Sequence, residues 1–189
     1  GDSSGNAHDF DISNISSTDV VLDSPSNNWC TLNPLAVSNN TPTFSEGNLQ
    51  FAMSGSAWGS AIGTIGISSG KWYWEYYAKN IDSQAWNASF VGITTAAGIS
   101  DTASSPQDRQ AIQYYSNAGD KRIDGTDTSY GATYTDGDVI GVALDLDSGT
   151  QTITFYKNNS SQGSITISGA CATATSVSPS AYLAYAGDL

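Results

Sequence analysis

Glutamate, histidine and cysteine, three residue types that catalyse many reactions, are scarce in this chain. Glutamate occurs only as Glu46 and Glu75, so the carboxylate pairs that glycan-cleaving sandwich enzymes hold about 5 Å apart have no candidate strand. The single histidine, His8, has no G-x-S-x-G motif to accompany it. One histidine with Cys30 and Cys171 is too small a set for a zinc site. The sequence therefore predicts a protein that is not an enzyme.

Calcium is the open alternative among cofactors. Residues 2–9 and 120–127 are rich in aspartate and in carbonyl-exposing turn residues, and oxygen atoms are the ligands that calcium prefers. Neither segment has EF-hand spacing, and Asx-turns explain the same residues without an ion. We therefore expect no cofactor and no protein-bound metal, with calcium as the minor alternative.

Aromatic side chains outside the predicted core are the best candidates for binding. Trp86 lies in the polar segment 83–87, where an indole can stack on a sugar or anchor a peptide. Packing over the open end of the fold is an equally good interpretation of Trp86. For Trp58, which lies in a bend rich in Gly and Ser, packing is the preferred interpretation.

The most regular pattern is the aromatic run over residues 69–77, S-G-K-W-Y-W-E-Y-Y. Alternate side chains of a strand point to opposite faces, so Trp72, Trp74 and Tyr76 share one face. A strand this aromatic is expected at the centre of an all-β core. The predicted core comprises Trp72, Trp74, Val91, Ile93, Ile140, Val142, Leu144, Ile153 and Phe155.

Composition indicates many short strands joined by turns. The chain has 189 residues and no sustained helical periodicity. Strands are predicted near 71–79, 88–94, 111–116, 120–123, 138–145, 151–157 and 163–167. A hairpin is predicted around Gly47-Asn48, and the longest loop over 96–110.

We divide the chain into a polar leader over residues 1–35 and a sandwich over 36–189. Apolar side chains of the leader can supply a short strand to a sheet edge. These are Phe10, Ile12, Ile15, Val20, Val21 and Leu22. Cys30 and Cys171 either form a disulfide or are two small apolar residues in the interior.

Charge narrows the choice of partners. The net charge of −12, with only six Lys and Arg, argues against nucleic acid and anionic membranes, which both need a basic surface. No stretch approaches the roughly 20 apolar residues of a membrane helix, so no membrane insertion is expected. An acidic surface suits a secreted or virion protein.

Four motifs resemble, in the same order, those of the SPRY (B30.2-like) family. They are G-K-W-Y-W-E at 70–75, F-V-G-I at 90–93, the turn and G-D-V-I-G-V-A-L-D within 134–145, and the hairpin 149–158 that ends in F-Y-K-N. Asn159 stands where the family usually has glycine, and asparagine also tolerates positive φ.

The resemblance implies an all-β fold, namely a two-sheet antiparallel β-sandwich of the SPRY or concanavalin-like jelly-roll type. It also implies a non-catalytic binding module whose binding surface is built from loops at one end. The ligand-binding residues transferred to those loops are Trp86, Asp108, Arg109, Arg122, Asp127 and Tyr130. The two arginines can hold a carboxylate in a bidentate contact or form a weak rim salt bridge.

The leader string D-S-P-S-N-N-W-C-T-L-N-P over residues 23–34 resembles segments that precede SPRY-like domains in bacteriophage tail-fibre and virion proteins. That resemblance implies an extracellular or virion location and a host-surface glycan or protein as partner.

The alternative to a binding module is a domain with a structural role. The family's closing N-F-G-like strand is absent after Leu189, and an unpaired edge can join neighbouring virion or appendage subunits. In that case the domain is an assembly or decoration module.

Overall fold

A computed structural model of the chain describes residues 29–37, 42–53, 58–81, 89–100 and 110–184. Twelve strands and two short helices lie in these ranges. They are β1 Thr43–Ser45, β2 Gln50–Ala52, β3 Trp58–Ile62, β4 Lys71–Tyr77, β5 Ser89–Thr95, α1 Ala96–Ser100, β6 Ala111–Tyr115, β7 Asp120–Ile123, β8 Thr126–Ser129, β9 Val139–Asp145, β10 Thr152–Lys157, β11 Ser160–Thr166, α2 Gly169–Thr173 and β12 Val177–Ala184.

Two larger sheets and one hairpin contain all of these strands. One sheet has four strands in the order β11-β10-β9-β4, and the other has six in the order β3-β12-β5-β6-β7-β8. β1 and β2 form the separate hairpin, and every registered pair is antiparallel. The predicted all-β, two-sheet antiparallel sandwich is therefore confirmed.

The core lies between the inner faces of the two larger sheets. Val142, Leu144 and Phe155 come from the four-stranded sheet, and Val91 and Ile112 come from the six-stranded sheet; all five are buried. Side-chain alternation along each strand sends these apolar residues inward and leaves polar residues outside.

The core prediction is confirmed at seven positions, but it is wrong for Trp72. Trp72 is 42% exposed, and Trp74 is partly buried against the core. The reason is topological: among the described strands β4 is the last of its sheet, so no described strand covers its aromatic rings on that side. The Nε1 atom of Trp72 donates to the carbonyl oxygen of Ser69 at 2.8 Å, which holds the indole at the strand's beginning.

Most predicted strands and the predicted hairpin are confirmed. The turn of that hairpin occupies residues 46–49, where Gly47 and Asn48 both have positive φ. β8 and β12 were not predicted, and the segment expected to be one long loop begins with α1. Leu32 forms a bridge with Gly63, so part of the predicted leader lies against the sandwich.

The two cysteines are free thiols, so the disulfide alternative is wrong. Cys30 is exposed beside Gly63, whereas Cys171 is buried in α2 near the carbonyl oxygen of Gln110. Burial raises the pKa of the Cys171 thiol to about 12. Within the described residues, no helix has the length and apolar character needed to cross a membrane.

Candidate binding groove along the edge of β4

Among the described strands, the backbone of β4 has a partner on one side and none on the other, which we call its free side. In the described part of the chain β4 pairs only with β9. The N–H of Leu146 donates to Gly70 at 3.0 Å and the N–H of Ala78 donates to Asp138 at 2.9 Å, so the even-numbered residues form the hydrogen-bonded pairs with β9. The odd-numbered residues therefore direct their N–H and C=O groups toward the free edge. They are Lys71, Tyr73, Glu75 and Tyr77.

A groove with a volume of about 760 Å³ runs beside this free edge. Residues 72–77 form one wall, and residues 29–32 with the β1–β2 hairpin form the other. The buried side chains of Ile67 and Ala181 lie at its base. The groove thus joins an apolar base to a row of backbone groups that no described strand pairs. We call it the edge groove.

Exposed apolar side chains concentrate at the edge groove. The described residues include six large apolar side chains that are exposed, and five of them line the edge groove or its β4 wall. The five are Trp29, Leu49, Trp72, Tyr73 and Tyr77. A contiguous apolar patch with a polar rim is typical of a protein-binding surface.

Two partly buried aromatic side chains supply polar groups within the edge groove. Tyr76 donates its hydroxyl to the carbonyl oxygen of Ser180 at 2.9 Å, and burial raises the pKa of Tyr76 well above its usual value. Within the described residues the buried Nε1 of Trp74 forms no hydrogen bond of good geometry, but it lies close enough to the Tyr76 hydroxyl to offset part of the rise in the pKa of Tyr76.

Charged side chains lie on the outer face of β4. Lys71 forms an ion pair with Asp145 at 2.7 Å, and this contact holds the pKa of Asp145 well below its usual value and raises the pKa of Lys71. The hydroxyl of Tyr73 donates to Glu75 at 2.7 Å, which raises the pKa of Tyr73. These surface contacts are weak, but they keep charge beside an otherwise aromatic edge.

Arg122 and Asp127, two of the predicted ligand-binding residues, bind each other. The Arg122 guanidinium donates to both carboxylate oxygens of Asp127, at 2.5 and 2.6 Å. Arg122 is only 6% exposed and lies over the ring of Phe90 at 4.5 Å and that of Tyr115 at 5.8 Å. This guanidinium is held by intramolecular contacts.

The register of β7 and β8 explains that pair. Asp124 and Gly125 form a two-residue turn, both with positive φ, so Arg122 is directly opposite Asp127. An Asp-Gly pair is a strong signal for a two-residue hairpin turn, and counting outward from it would have predicted the ion pair.

Tyr130 lies on the core side of the fold, away from Arg122. Its hydroxyl donates to the carbonyl oxygen of Gly163 and accepts the N–H of Phe155 at 3.2 Å, and its ring packs against Tyr114 and Phe155. Trp86, Asp108 and Arg109 lie outside the described residues. The ligand-binding role of all six predicted residues stays a prediction.

Two of the three carboxylates within residues 120–127 already have protein partners. Asp124 accepts the N–H of Ala170 at 2.8 Å, and Asp127 holds Arg122. The described ranges contain no group of three side chains placed to hold a metal ion. The other predicted segment, residues 2–9, lies outside those ranges.

Calcium should leave the melting temperature unchanged, because the Asp124 and Asp127 carboxylates already accept hydrogen bonds from protein donors. The measurement is thermal unfolding in millimolar calcium and in chelator. A calcium-dependent rise in melting temperature would show that the ion binds the folded state, and would contradict this expectation.

Comparison with known proteins agrees with the architecture. A family model described as the SPRY domain matches residues 71–187. No curated protein matches the chain. Among solved structures, the SPRY domain of human HERC1 is similar with a TM-score of 0.65 and 19% identity, covering 83% of this chain and 93% of that one.

Two further solved structures have the same fold. A human SPRY domain has a TM-score of 0.57 and 16% identity, covering 74% of this chain and 88% of that one. The TRIM65 PSpry domain has a TM-score of 0.58 and 16% identity, covering 84% and 89%. At these identities the similarity concerns the fold alone.

Proposed function

This chain belongs to the SPRY domain family, and from that premise we propose that it captures an extended segment of a partner protein along the free edge of β4. SPRY domains are generally protein-interaction modules and not enzymes, which supports a non-catalytic binding role. The observation that carries the proposal is the row of β4 backbone groups, beside the apolar edge groove, that no described strand pairs.

A partner strand added here would contact both the free backbone edge of β4 and the apolar edge groove. Backbone hydrogen bonds to the odd-numbered residues of β4 would supply affinity without regard to sequence, and side chains pointing into the groove would supply specificity. Side chains of an added strand alternate, so only every second residue meets Ile67 and Ala181 at the base. The expected partner segment is therefore about seven residues long, matching β4, with apolar side chains at alternate positions.

Replacing Glu75 with proline should weaken binding of such a segment on the order of tenfold, because proline removes the N–H at the centre of the free edge. That N–H faces away from β9, so the sheet itself should persist. The matched control is Glu75→Ala, which removes the carboxylate and its bond to Tyr73 but keeps the N–H.

The binding probe is a displayed library of random peptides selected on the wild-type domain. Peptides with alternating apolar residues should be enriched, should bind Glu75→Ala nearly as well as wild type and should lose affinity for Glu75→Pro. Equal losses in the two variants would mean that the Glu75 side chain, and not the strand edge, is recognised. Absence of any enriched peptide would refute recognition of extended segments.

The same free edge favours a second candidate function, assembly with neighbouring subunits. Two β4 strands, or β4 and another exposed strand, can pair between copies. Light scattering separates the candidates, since an assembly module should gain mass as concentration rises and Glu75→Pro should remove that gain. A concentration-independent monomer would exclude self-assembly.

Recognition of a host-surface glycan or protein from an extracellular or virion structure, such as a tail fibre, remains part of the proposal. Its support is the leader resemblance over residues 23–34 and the acidic composition. A glycan array probed with wild type and Trp86→Ala tests the glycan branch. Binding that depends on Trp86 would favour a sugar ligand at the loops over a protein ligand at β4.

A further inference from the structure

We propose that the edge groove selects a partner segment that carries a lysine or an arginine, and that Glu46 is the residue that recognises this cation. The inference rests on the proposed function, because it names the chemistry of the segment that would be added to β4. It gives a specificity role to the β1–β2 hairpin, which among the described strands pairs with neither of the larger sheets.

Glu46 begins the turn that joins β1 to β2, on the wall of the edge groove opposite β4. The N–H of Leu49 donates to the carbonyl oxygen of Glu46 at 3.2 Å, so these two residues close the turn together. Glu46 is exposed, and Leu49 is 57% exposed. An acidic residue and an apolar residue are therefore neighbours on this wall.

Among the described residues, the Glu46 carboxylate has no cationic partner. The ion pairs in these ranges all involve aspartate, and Glu46 belongs to none of them. Glu75, the other carboxylate of the groove, already accepts the Tyr73 hydroxyl at 2.7 Å. The ammonium group of Lys79 donates to Gln50 at 3.4 Å. Glu46 is thus the groove carboxylate that is best placed to pair with a cation from a partner.

Lysine and arginine suit this wall because their side chains have an apolar stem and a charged head. The stem can pack on apolar surface while the head stays at the boundary with water. Leu49 and Trp29, which is 58% exposed, supply the apolar surface, and the indole ring of Trp29 also attracts cations. Glu46 supplies the opposite charge. An acidic residue at the same place would be repelled by the Glu46 carboxylate.

The charge of the whole chain favours the same kind of partner. A net charge of −12 attracts a basic segment from a distance and repels an acidic one. This attraction speeds the encounter with any basic peptide, but it does not place the cation at a particular residue. The contact with Glu46 therefore has to be separated from the effect of overall charge.

The first test selects the displayed peptide library in parallel on wild type and on Glu46→Lys. Peptides selected on wild type should carry a lysine or arginine beside the alternating apolar residues. Peptides selected on Glu46→Lys should instead carry aspartate or glutamate there, because the reversed charge repels the original cation. Equally basic peptides from the two selections would overturn the proposal.

The second test measures affinity at about 0.15 M salt, where distant charges are screened. Glu46→Gln should weaken a basic peptide selected on wild type by about threefold, the effect of an exposed ion pair. The matched control is Ser129→Lys, which changes the net charge equally on β8 and should leave affinity near wild type. Ser129 is exposed and lies opposite Asp120, so the fold accommodates a lysine there. Equal losses in the two variants would indicate general charge attraction and overturn the role of Glu46.

Cys30 reports whether the peptide occupies the groove. This exposed thiol lines the edge groove, whereas Cys171 is buried, so an alkylating reagent modifies Cys30 first. At a peptide concentration ten times the dissociation constant, alkylation should slow about tenfold, because most molecules hold a peptide over the thiol. An unchanged rate would show that the basic peptide binds elsewhere, and would overturn the proposal.

Glu75→Pro separates this inference from the proposed function. If the selected peptides lose affinity for Glu75→Pro but bind Glu46→Gln as tightly as wild type, strand addition holds and the role of Glu46 fails. If Glu46→Gln weakens binding and Glu75→Pro does not, the groove recognises a basic segment without adding a strand, and the proposed function fails. Absence of any enriched peptide would contradict both.

Discussion

Replacing Asp127 with alanine should lower the free energy of unfolding by about 3 kcal/mol, because it leaves a buried guanidinium without its counterion. Arg122 is enclosed by Phe90 and Tyr115 and makes its bidentate contact with Asp127 alone. The Asp127 side chain is 37% exposed, so its removal admits some water to the guanidinium and keeps the loss at the lower end of the range for buried ion pairs. Urea denaturation of wild type and variant measures the difference.

Arg122→Met is the matched variant for this pair. Methionine keeps an unbranched apolar side chain on Phe90 and removes the charge, so it should cost less than Asp127→Ala. The double variant should recover most of the stability lost in Asp127→Ala, since neither charge remains buried and unpaired. If Asp127→Ala were as stable as wild type, the prediction that the Arg122 charge depends on Asp127 as its counterion would be wrong.

Gly92→Ala should destabilise the domain by about 3 kcal/mol or prevent folding, because the added methyl group meets backbone and not a movable side chain. A Cβ at position 92 would lie inside van der Waals contact of the Ile112 carbonyl oxygen and 2.9 Å from the Cα of Gln113. Gln113 is the β6 residue paired with Gly92, so neither strand can retreat without loss of pairing.

Two other glycines provide the comparison for Gly92. At Gly141 the nearest atom to an added Cβ is the Tyr73 hydroxyl, the tip of an exposed side chain that can rotate away. At Gly149 nothing lies within 4 Å. Thermal unfolding should therefore rank Gly92→Ala as most damaging, Gly141→Ala as milder and Gly149→Ala within about 0.5 kcal/mol of wild type. Equal melting temperatures for the first and last would contradict this interpretation.

Local patterns in the sequence predicted much of the fold because they depend on neighbours along the chain. Alternation around Trp74 correctly placed the even-numbered residues of β4 on the inner face, and apolar residues near Val142 marked a buried strand. The Gly47-Asn48 turn was predictable because its positive φ values need those residue types.

Sheet order was not predictable in the same way. Whether β4 is central or last in its sheet depends on which distant segment pairs with it, and the aromatic run of residues 69–77 looks the same in either position. The error at Trp72 and the failure to foresee the edge groove both follow from this. β12 was missed because its sequence V-S-P-S-A-Y-L-A includes Pro179, which usually argues against an internal strand.

The edge position of β4 also has a consequence for biosynthesis. β4 emerges from the ribosome well before its only described strand partner, β9, which follows after roughly 70 residues, or about 4–14 s at ordinary elongation rates. During that interval a nascent strand carrying two tryptophans and three tyrosines has no sheet to join.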